Sequence, residues 1–482
     1  MHERIRSLAC ALMAASCPIA PQAAHAATAR EEQLEARLEK LETEMAQLRS
    51  DLTQARQQQV RDAAAAQGAI AAANARSEAA ATRIAAVEAK ASGPATAAAT
   101  VPAAPPADGF RSGNSAINIG GYIKLVATSS HFSDGKVATN TFGRDFYLPQ
   151  AIPTGSGQST DATDFNAKQS RLWVDVNTRL GDHALKAYVE ADFQTSPGIQ
   201  ASKRTTNGYN FTLRRAYMQF DRWLIGQEWT TFQYVPALPE STDFVGVTEG
   251  TVFARQPLIR YSLPIGKQAT LHLAMEQPET GTVDTGSPTI IENGDERIPD
   301  FVARLALKGG IGELSLAGLA RQVRVQNGGR DASTTGLGVS AAGKLWLNRS
   351  KTSDLRAMVT YGHNISRYLG LNFAPDAVYS PATNSLESVD AMAAFAALHI
   401  ALGTNWRANV MGSWQRVYYS RDLAYADIAT FNRQAWSGAV NLFYSPYRNI
   451  DLGIEYRHGE RDLVDGDNGN LDRLEFAAKY SF

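Results

Sequence analysis

From residue 115 onward the sequence breaks into sixteen short runs in which apolar and polar residues alternate, and the links between them alternate between long and short. The runs are 117–128, 171–178, 185–193, 210–220, 222–229, 257–264, 268–276, 299–308, 312–325, 333–347, 353–364, 388–402, 405–419, 433–444, 449–460 and 471–482. In "RLWVDVNT" (171–178), Leu172, Val174 and Val176 fall opposite Arg171, Trp173, Asp175 and Asn177, the period of a strand with one apolar face. The first link, about 129–170, is long and "RLGDH" is short; 195–209 is long and "DR" minimal. The segment 230–256 is long and "PIGKQ" short, 277–298 long and "KGGIG" short. The later links are read in the same rhythm, through a short "SPYRN" to a longer 461–470. In an up-and-down meander, that parity sends every long loop to one end and every tight turn to the other, as in outer-membrane barrels. A soluble β-sandwich or periplasmic repeat protein has no reason to sort its loops this way. Nor does it need runs as long as 388–402 and 405–419, at or above the roughly ten residues of a tilted membrane-spanning strand.

No apolar run is long enough for a spanning helix; the nearest, "AMAAFAALHIAL" (391–402), is about half the roughly 20 residues required. Acidic and basic residues nearly cancel, so the overall charge does not point to nucleic acid. Residues 1–26 read as a signal peptide: Arg4 and Arg6 precede the apolar "LACALMAASC", and "AAHAA" offers a cleavage site after Ala26. Lipidation at Cys17 is the rival processing route, with Ala14 where a bulky aliphatic belongs and Pro18 directly after the cysteine. Both cysteines lie in this segment, so disulfides and thiolate metal sites are not expected in the exported chain.

Residues 27–60 carry a heptad pattern: Leu34, Leu38, Leu41, Met45, Leu48, Leu52 and Ala55 are spaced alternately four and three apart. That is the seam of a coiled coil, read as an oligomerisation stem, and leucine at both seam positions leaves the number of strands open. A lone amphipathic helix packed on its own domain is the alternative. An Ala-rich segment and a Pro/Ala linker occupy 61–109, and the barrel domain is 110–482. The expected fold is therefore all-β: a 16-stranded antiparallel transmembrane β-barrel preceded by an N-terminal α-helical coiled-coil stem. At the other end, "LEFAAKYSF" puts Leu474, Phe476, Ala478, Tyr480 and Phe482 on one strand face, with Tyr480 and Phe482 placed for an interfacial aromatic girdle.

The segment "TTFQYVPALPESTDFVGVTEGTVFARQ" (230–256) is unusually apolar for an external loop, yet holds Glu240, Asp243, Glu249 and Arg255. Loops this long are functional or disordered, and Phe232, Tyr234, Phe244 and Phe253 make it too aromatic for disorder. It is expected to fold into the barrel and narrow the channel; an ordered external lid is the alternative.

Several stretches resemble the DcaP-like trimeric outer-membrane porins: "GGYIKL" (120–125), "SRLWVDV" (170–176), "VEADF" (189–193), "LRRAY" (213–217), "GQEWTTFQYVPALPESTDFVG" (226–246) and "ARQPLIRY" (254–261). The likeness covers most of the barrel's first half, with strand texture alone in the second. It implies a homotrimer of sixteen-stranded barrels in outer-membrane lipid, a constricting third loop, and passive uptake of small anions such as dicarboxylates. An alternating last strand ending in Phe likewise resembles the assembly signal of bacterial outer-membrane barrels.

By parity, Arg171, Lys186, Arg260, Arg304, Arg356, Arg407 and Arg457 point inward, while "LRRAY" leaves open which of Arg214 and Arg215 does. Arginine ladders favour anions because guanidinium offers several donors to a carboxylate or phosphate. Asp175, Glu190, Asp192, Glu276, Asp300 and Glu455 share those faces, so pairing competes with solute contact. Arg171, Arg214, Arg215 and Arg260 are the favoured solute-facing residues, followed by Arg304, Arg356 and Arg255, with Glu240, Asp243 and Glu249 as the acidic side of the constriction. No cofactor, metal or catalytic residue is expected. "GLGVSA" (336–341) imitates a dinucleotide fingerprint without a following helix. "DLVDGDNGNLD" (462–472) lacks the closing Glu of a calcium loop. Two other functions stay open: a tether that uses the stem to bind a periplasmic partner, and a barrel-embedded hydrolase, for which no nucleophile context stands out.

Overall fold

The computed structural model describes Lys40, Met45 and residues 110–194, 206–327 and 329–482. The chain divides into two units, Met1–Ala104 and Pro105–Phe482. In the first, Lys40 and Met45 of the expected stem are helical and exposed; the rest of the stem, the signal peptide and the linker lie outside the described residues.

The second unit is a closed antiparallel barrel. Its strands are β1 (Ser115–Phe132), β2 (Arg171–Leu180), β3 (His183–Asp192), β4 (Thr212–Phe220), β5 (Trp223–Trp229), β6 (Arg255–Ile265), β7 (Ala269–Glu276) and β8 (Asp300–Lys308). They continue as β9 (Gly312–Val325), β10 (Ala332–Trp346), β11 (Asp354–His363), β12 (Ser385–Ala401), β13 (Trp406–Tyr419), β14 (Asn432–Tyr447), β15 (Ile450–Leu463) and β16 (Asn468–Ser481). Each pairs with its sequence neighbours, and β16 returns to β1 in a register running from Tyr122↔Ser481 to Phe132↔Leu471. Gly121 and Phe482 exchange backbone hydrogen bonds at 3.1 Å each, so the terminal phenylalanine belongs to the closing seam.

The outward face is a continuous apolar belt. Ile123, Val339, Val410 and Leu474 are roughly half exposed, a surface that costs free energy in water and is at home in lipid. Aromatic residues mark both rims: Phe220, Trp223, Trp406, Tyr447, Tyr480 and Phe482 at the turn end, and Phe165, Tyr361, Tyr418, Trp436 and Tyr456 at the loop end. Trp406 and Tyr418 sit on the same strand. Their twelve-residue separation, at ~3.3 Å per residue and ~40° tilt, spans about 30 Å, enough to bracket the hydrocarbon band.

The loop rhythm departs from the sequence reading in three places. The first long link is shorter than 129–170, because Thr160–Asn166 pairs with the upper half of β1 as part of the wall. Between β9 and β10 only 326–331 intervenes, while the turn-end link 347–353 is no shorter, so the alternation breaks there. The expected 461–470 loop is a tight turn at 464–467, because β15 and β16 keep pairing out to Asp462↔Asn468. Strand ends that rise above the membrane take residues that sequence assigns to loops.

The largest apolar core lies inside the barrel, between the third loop (230–254) and the wall. Phe232, Tyr234, Ala237, Val247 and Val252 of the loop pack with Ala274, Val302, Leu319, Met358, Ala391, Ala393, Phe395, Met411 and Ala439 of β7 to β14. The inward faces of these strands are therefore largely apolar along this arc. It also explains why "AMAAFAALHIAL" is apolar on both faces: one side meets lipid and the other meets the loop. The approach is closest at Gly250, where a Cβ would collide with the Ala394 carbonyl and the Phe395 amide of β12. Gly250→Leu is expected to lift the loop off β12 at a cost of roughly 1–3 kcal/mol. Displacement of the loop into the lumen should lower single-channel conductance in a planar bilayer while the barrel keeps its resistance to SDS; unchanged conductance would contradict this seating.

Candidate constriction site

The third loop leaves β5, runs along the inner wall and is tied down by charged side chains on successive strands. Arg260 of β6 donates to the Trp229 carbonyl and to Thr231 Oγ1 (2.8 Å) at its root. Arg304 of β8 donates to the Gln233 carbonyl, and Arg356 of β11 to the Leu238 carbonyl. Arg407 of β13 grips Glu240 with two hydrogen bonds of 2.6 and 2.7 Å. Farther round, Glu455 of β15 accepts from Ser241 Oγ (2.6 Å) and the Thr242 amide (3.1 Å), and Lys124 of β1 donates to the Thr242 carbonyl (2.7 Å). Each bond joins a charged group to a loop group, the stronger kind of hydrogen bond.

These contacts decide what the loop acids do. Glu240 is spent on Arg407. Asp243 is buried and accepts from the backbone amides of Tyr147 (2.7 Å), Val245 (3.0 Å) and Gly246 (3.0 Å). Glu249 is fully buried, accepting from the Tyr147 hydroxyl (2.5 Å) and Ser437 Oγ (3.0 Å). All three carboxylates point into the anchored side of the loop and do not face the arginines of β2 to β4 across an opening. Burial pushes the Glu249 carboxyl above its ordinary range, with the Tyr147 hydrogen bond acting the other way.

The loop's other side faces a compact charged cluster. Glu190 of β3 is opposite Arg215 of β4, and the register then slips, so that Ala191 pairs with Leu213 and Arg214 is the extra residue. This β-bulge turns both Arg214 and Arg215 inward, which resolves the ambiguity in "LRRAY". Arg214 binds Glu190 (2.8 Å) and Asp192 (2.5 Å). Arg215 forms a two-point pair with Glu228 (2.5 and 2.7 Å) and stacks over Tyr188. Arg171 reaches Asp192 at 3.3 Å and Glu190 at 3.6 Å, over the Tyr122 ring. The Arg214 guanidinium also lies 5.3 Å from the centre of the Phe244 ring, so wall and loop meet at this level.

Arg255 completes the cluster from the loop side. It stacks between Trp229 (4.8 Å) and Phe253 (5.1 Å), and Arg214, Asp192, Arg171 and Glu190 are the charges that act on it most. It has no ion pair among the described residues, and its buried Nη1 has no hydrogen-bond partner. The structure thus gathers Arg171, Arg214, Arg215 and Arg255 at one level and uses Arg260, Arg304 and Arg356 to hold the loop. Lys186 pairs with Asp175 (3.0 Å) and Arg457 with Glu455 (2.7 Å).

Sequence reasoning missed that other loops also fold inward. In the first loop, Phe146, Tyr147 and Ile152 are buried. In 364–384, Tyr368 donates to Asp300 (2.7 Å), and Gln256 bridges the Tyr368 hydroxyl (3.0 Å) and Glu276 (2.7 Å). Arg321 closes this network on Asp376 (2.9 Å) and Asp300 (3.5 Å). Asp300 and Glu276 are therefore structural. The aromatic "FGRDFY" (142–147) was the one available signal, and it has no strand period.

A sixteen-stranded barrel with a lipid-facing belt, two aromatic rims and an inward third loop defines an outer-membrane channel of the porin class. The family described as DcaP outer membrane protein matches residues 128–482. The chain belongs to that family, which places it in the Gram-negative outer membrane. The crystal structure of the outer membrane channel DcaP of Acinetobacter baumannii is similar to it, with 26% identity over 78% of this chain and 100% of that one, and a TM-score of 0.63. OmpT of Vibrio cholerae (12% identity, 78% and 100% covered, TM-score 0.48) and an anion-selective porin from Comamonas acidovorans (11%, 76% and 100%, TM-score 0.46) are more distant. No curated protein matches the sequence.

The raised Glu249 carboxyl has a signed consequence. A carboxylic acid whose folded-state pKa lies above its unfolded value binds its proton more tightly when folded, so stability falls as pH rises from the unfolded pKa through the folded one. Glu249→Gln, which mimics the neutral acid, is expected to reduce loop-related current flicker at pH 8 and to change little at pH 4.5. Equal effects at both pH values would contradict this assignment.

Proposed function

We propose that the protein is a porin for passive diffusion of small hydrophilic anions, dicarboxylate-like in size and charge, through a channel narrowed by residues 230–256. The observation that carries the reading is the charge count at the constriction. Arg171, Arg214, Arg215 and Arg255 stand against Glu190, Asp192 and Glu228, four cations to three anions, with Arg255 outside every ion pair among the described residues. A guanidinium held between aromatic rings, with donors free, suits a partly dehydrated carboxylate. Arg260 and Arg304 add two more cations without carboxylate partners among the described residues, and their donors engage loop groups. Transport is by diffusion down a gradient, and the paired carboxylates keep the site from holding an anion too tightly to release it.

The assembly we propose is a homotrimer. Residues 1–26 act as a signal peptide, the 27–60 heptads as a periplasmic trimerisation stem, and 61–109 as the spacer to the barrel. The heptad spacing and the chain's resemblance to the DcaP-like trimeric porins support this. The stem also leaves room for a periplasmic partner.

Purified full-length protein in a planar bilayer under a salt gradient tests the reading. The expected result is stepwise closure in threes and a reversal potential favouring anions. Arg255→Gln and Arg171→Gln should each shift that potential toward cations. Glu190→Gln and Asp192→Asn, which each remove one negative charge, should shift it the other way. Cation preference in the unmodified protein would overturn the selectivity, and folded protein with no conductance would favour a tether.

A further inference from the structure

Near the loop end, well away from the constriction cluster, a cavity of about 370 Å³ is enclosed by four long loops and the upper ends of β13, β14 and β15. Its volume is within the range of small-molecule sites, roughly 300–1,000 Å³. The apolar walls are Phe373 and Phe431, both almost fully buried, with Tyr419 edge-on to Phe431 at 5.6 Å and Ile290 beside them. Gln150 adds a side-chain oxygen that is buried without a hydrogen-bond partner.

The cation in this cavity is Arg461 of β15. Its Nε donates to Asn432 Oδ1 (2.7 Å) and its Nη1 to the Ile152 carbonyl (2.7 Å). Those two bonds fix the plane of the guanidinium and leave Nη2 without an acceptor among the described residues. Arg461 has no ion pair among the described residues. Arg457 on the same strand is paired with Glu455, and Arg407 of β13 with Glu240 and Asp451, whereas Arg473 of β16, like Arg461, is held by neutral acceptors, Ser130 Oγ and the Gly143 carbonyl. A half-buried guanidinium held rigid by neutral acceptors, with its charge uncompensated, is an anion site in chemical terms.

We propose that this cavity is a vestibule subsite for a small monoanion with an aromatic or similarly flat apolar ring. Its carboxylate binds Arg461 Nη2 while the ring packs among Phe373, Phe431 and Tyr419. One uncompensated cation sets the charge at one. The ring walls exclude short aliphatic acids by leaving their side of the cavity unfilled. The asparagine holding the guanidinium is itself fixed, since Asn432 Nδ2 donates to the Phe373 carbonyl (2.5 Å) and Tyr419 donates to the Asn432 carbonyl (2.7 Å). Cation, ring and backbone therefore form one rigid unit.

The test is isothermal titration of detergent-purified full-length protein with benzoate, acetate and benzyl alcohol. Benzoate is expected to bind saturably, with acetate and benzyl alcohol each at least about tenfold weaker, since each lacks one half of the recognition. Arg461→Gln should weaken benzoate at least about tenfold, and Lys267→Gln, which removes an exposed charge in the β6–β7 turn, should leave it unchanged. Thr289→Trp, at an exposed position on the cavity rim, fills the cavity while leaving the Arg461 side chain in the sequence and should abolish benzoate binding, which keeps the test valid if the arginine variant folds poorly. Benzoate binding no tighter than acetate or benzyl alcohol, or retained in Thr289→Trp, would overturn the proposal. This titration is independent of the selectivity reading, because reversal potentials test the constriction and calorimetry tests the vestibule.

Discussion

Everything in this barrel depends on closure. A strand in lipid has no water to satisfy its backbone groups, so an open sheet edge would leave a row of unpaired amides and carbonyls in hydrocarbon. The chain meets this with sixteen strands whose last returns to the first, down to the reciprocal bonds between Gly121 and Phe482. Closure gives the wall two surfaces under different demands. The outer one must be apolar across the hydrocarbon band; the inner one is free to vary, and that freedom is where function enters.

The inner surface divides into an apolar arc and a charged arc. Along β7 to β14, small and apolar side chains form a bed on which the third loop packs as a core element. Along β1 to β5 the inward residues are charged and aromatic, and the loop's far side meets them at Arg214 and Phe244. The loop is therefore held by hydrophobic burial with a series of charged hydrogen bonds, and the loop acids are consumed in that attachment. The net charge of the constriction follows from which groups are left over.

Much of this was legible in the sequence because lipid imposes period-2 alternation on every spanning strand, and all sixteen strands lie where alternation put them. The inward fold of 230–254 was legible from its aromatic content and length. What escaped were features with no periodic signature. A bulge adds one residue at Arg214 and breaks the parity rule by which inward residues are counted. The double-sided apolar β12 has the same letters whether its second face meets lipid, a core or a loop. Glu240, Asp243 and Glu249 look like channel acids until their partners Arg407, Tyr147 and Ser437 are brought beside them from residues distant in the chain.

By itself, then, the sequence determined that the chain closes into a sixteen-stranded barrel with its long loops mostly at one end and a third loop turned inward. Strand period and link length are local properties, set by neighbours a few residues apart. The tertiary structure alone decided which arginines are neutralised and which keep an uncompensated charge, as Arg255 and Arg461 do. Ion pairing across a barrel joins residues up to hundreds of positions apart, and the energy of each pair depends on distances of a few ångströms that no local pattern encodes.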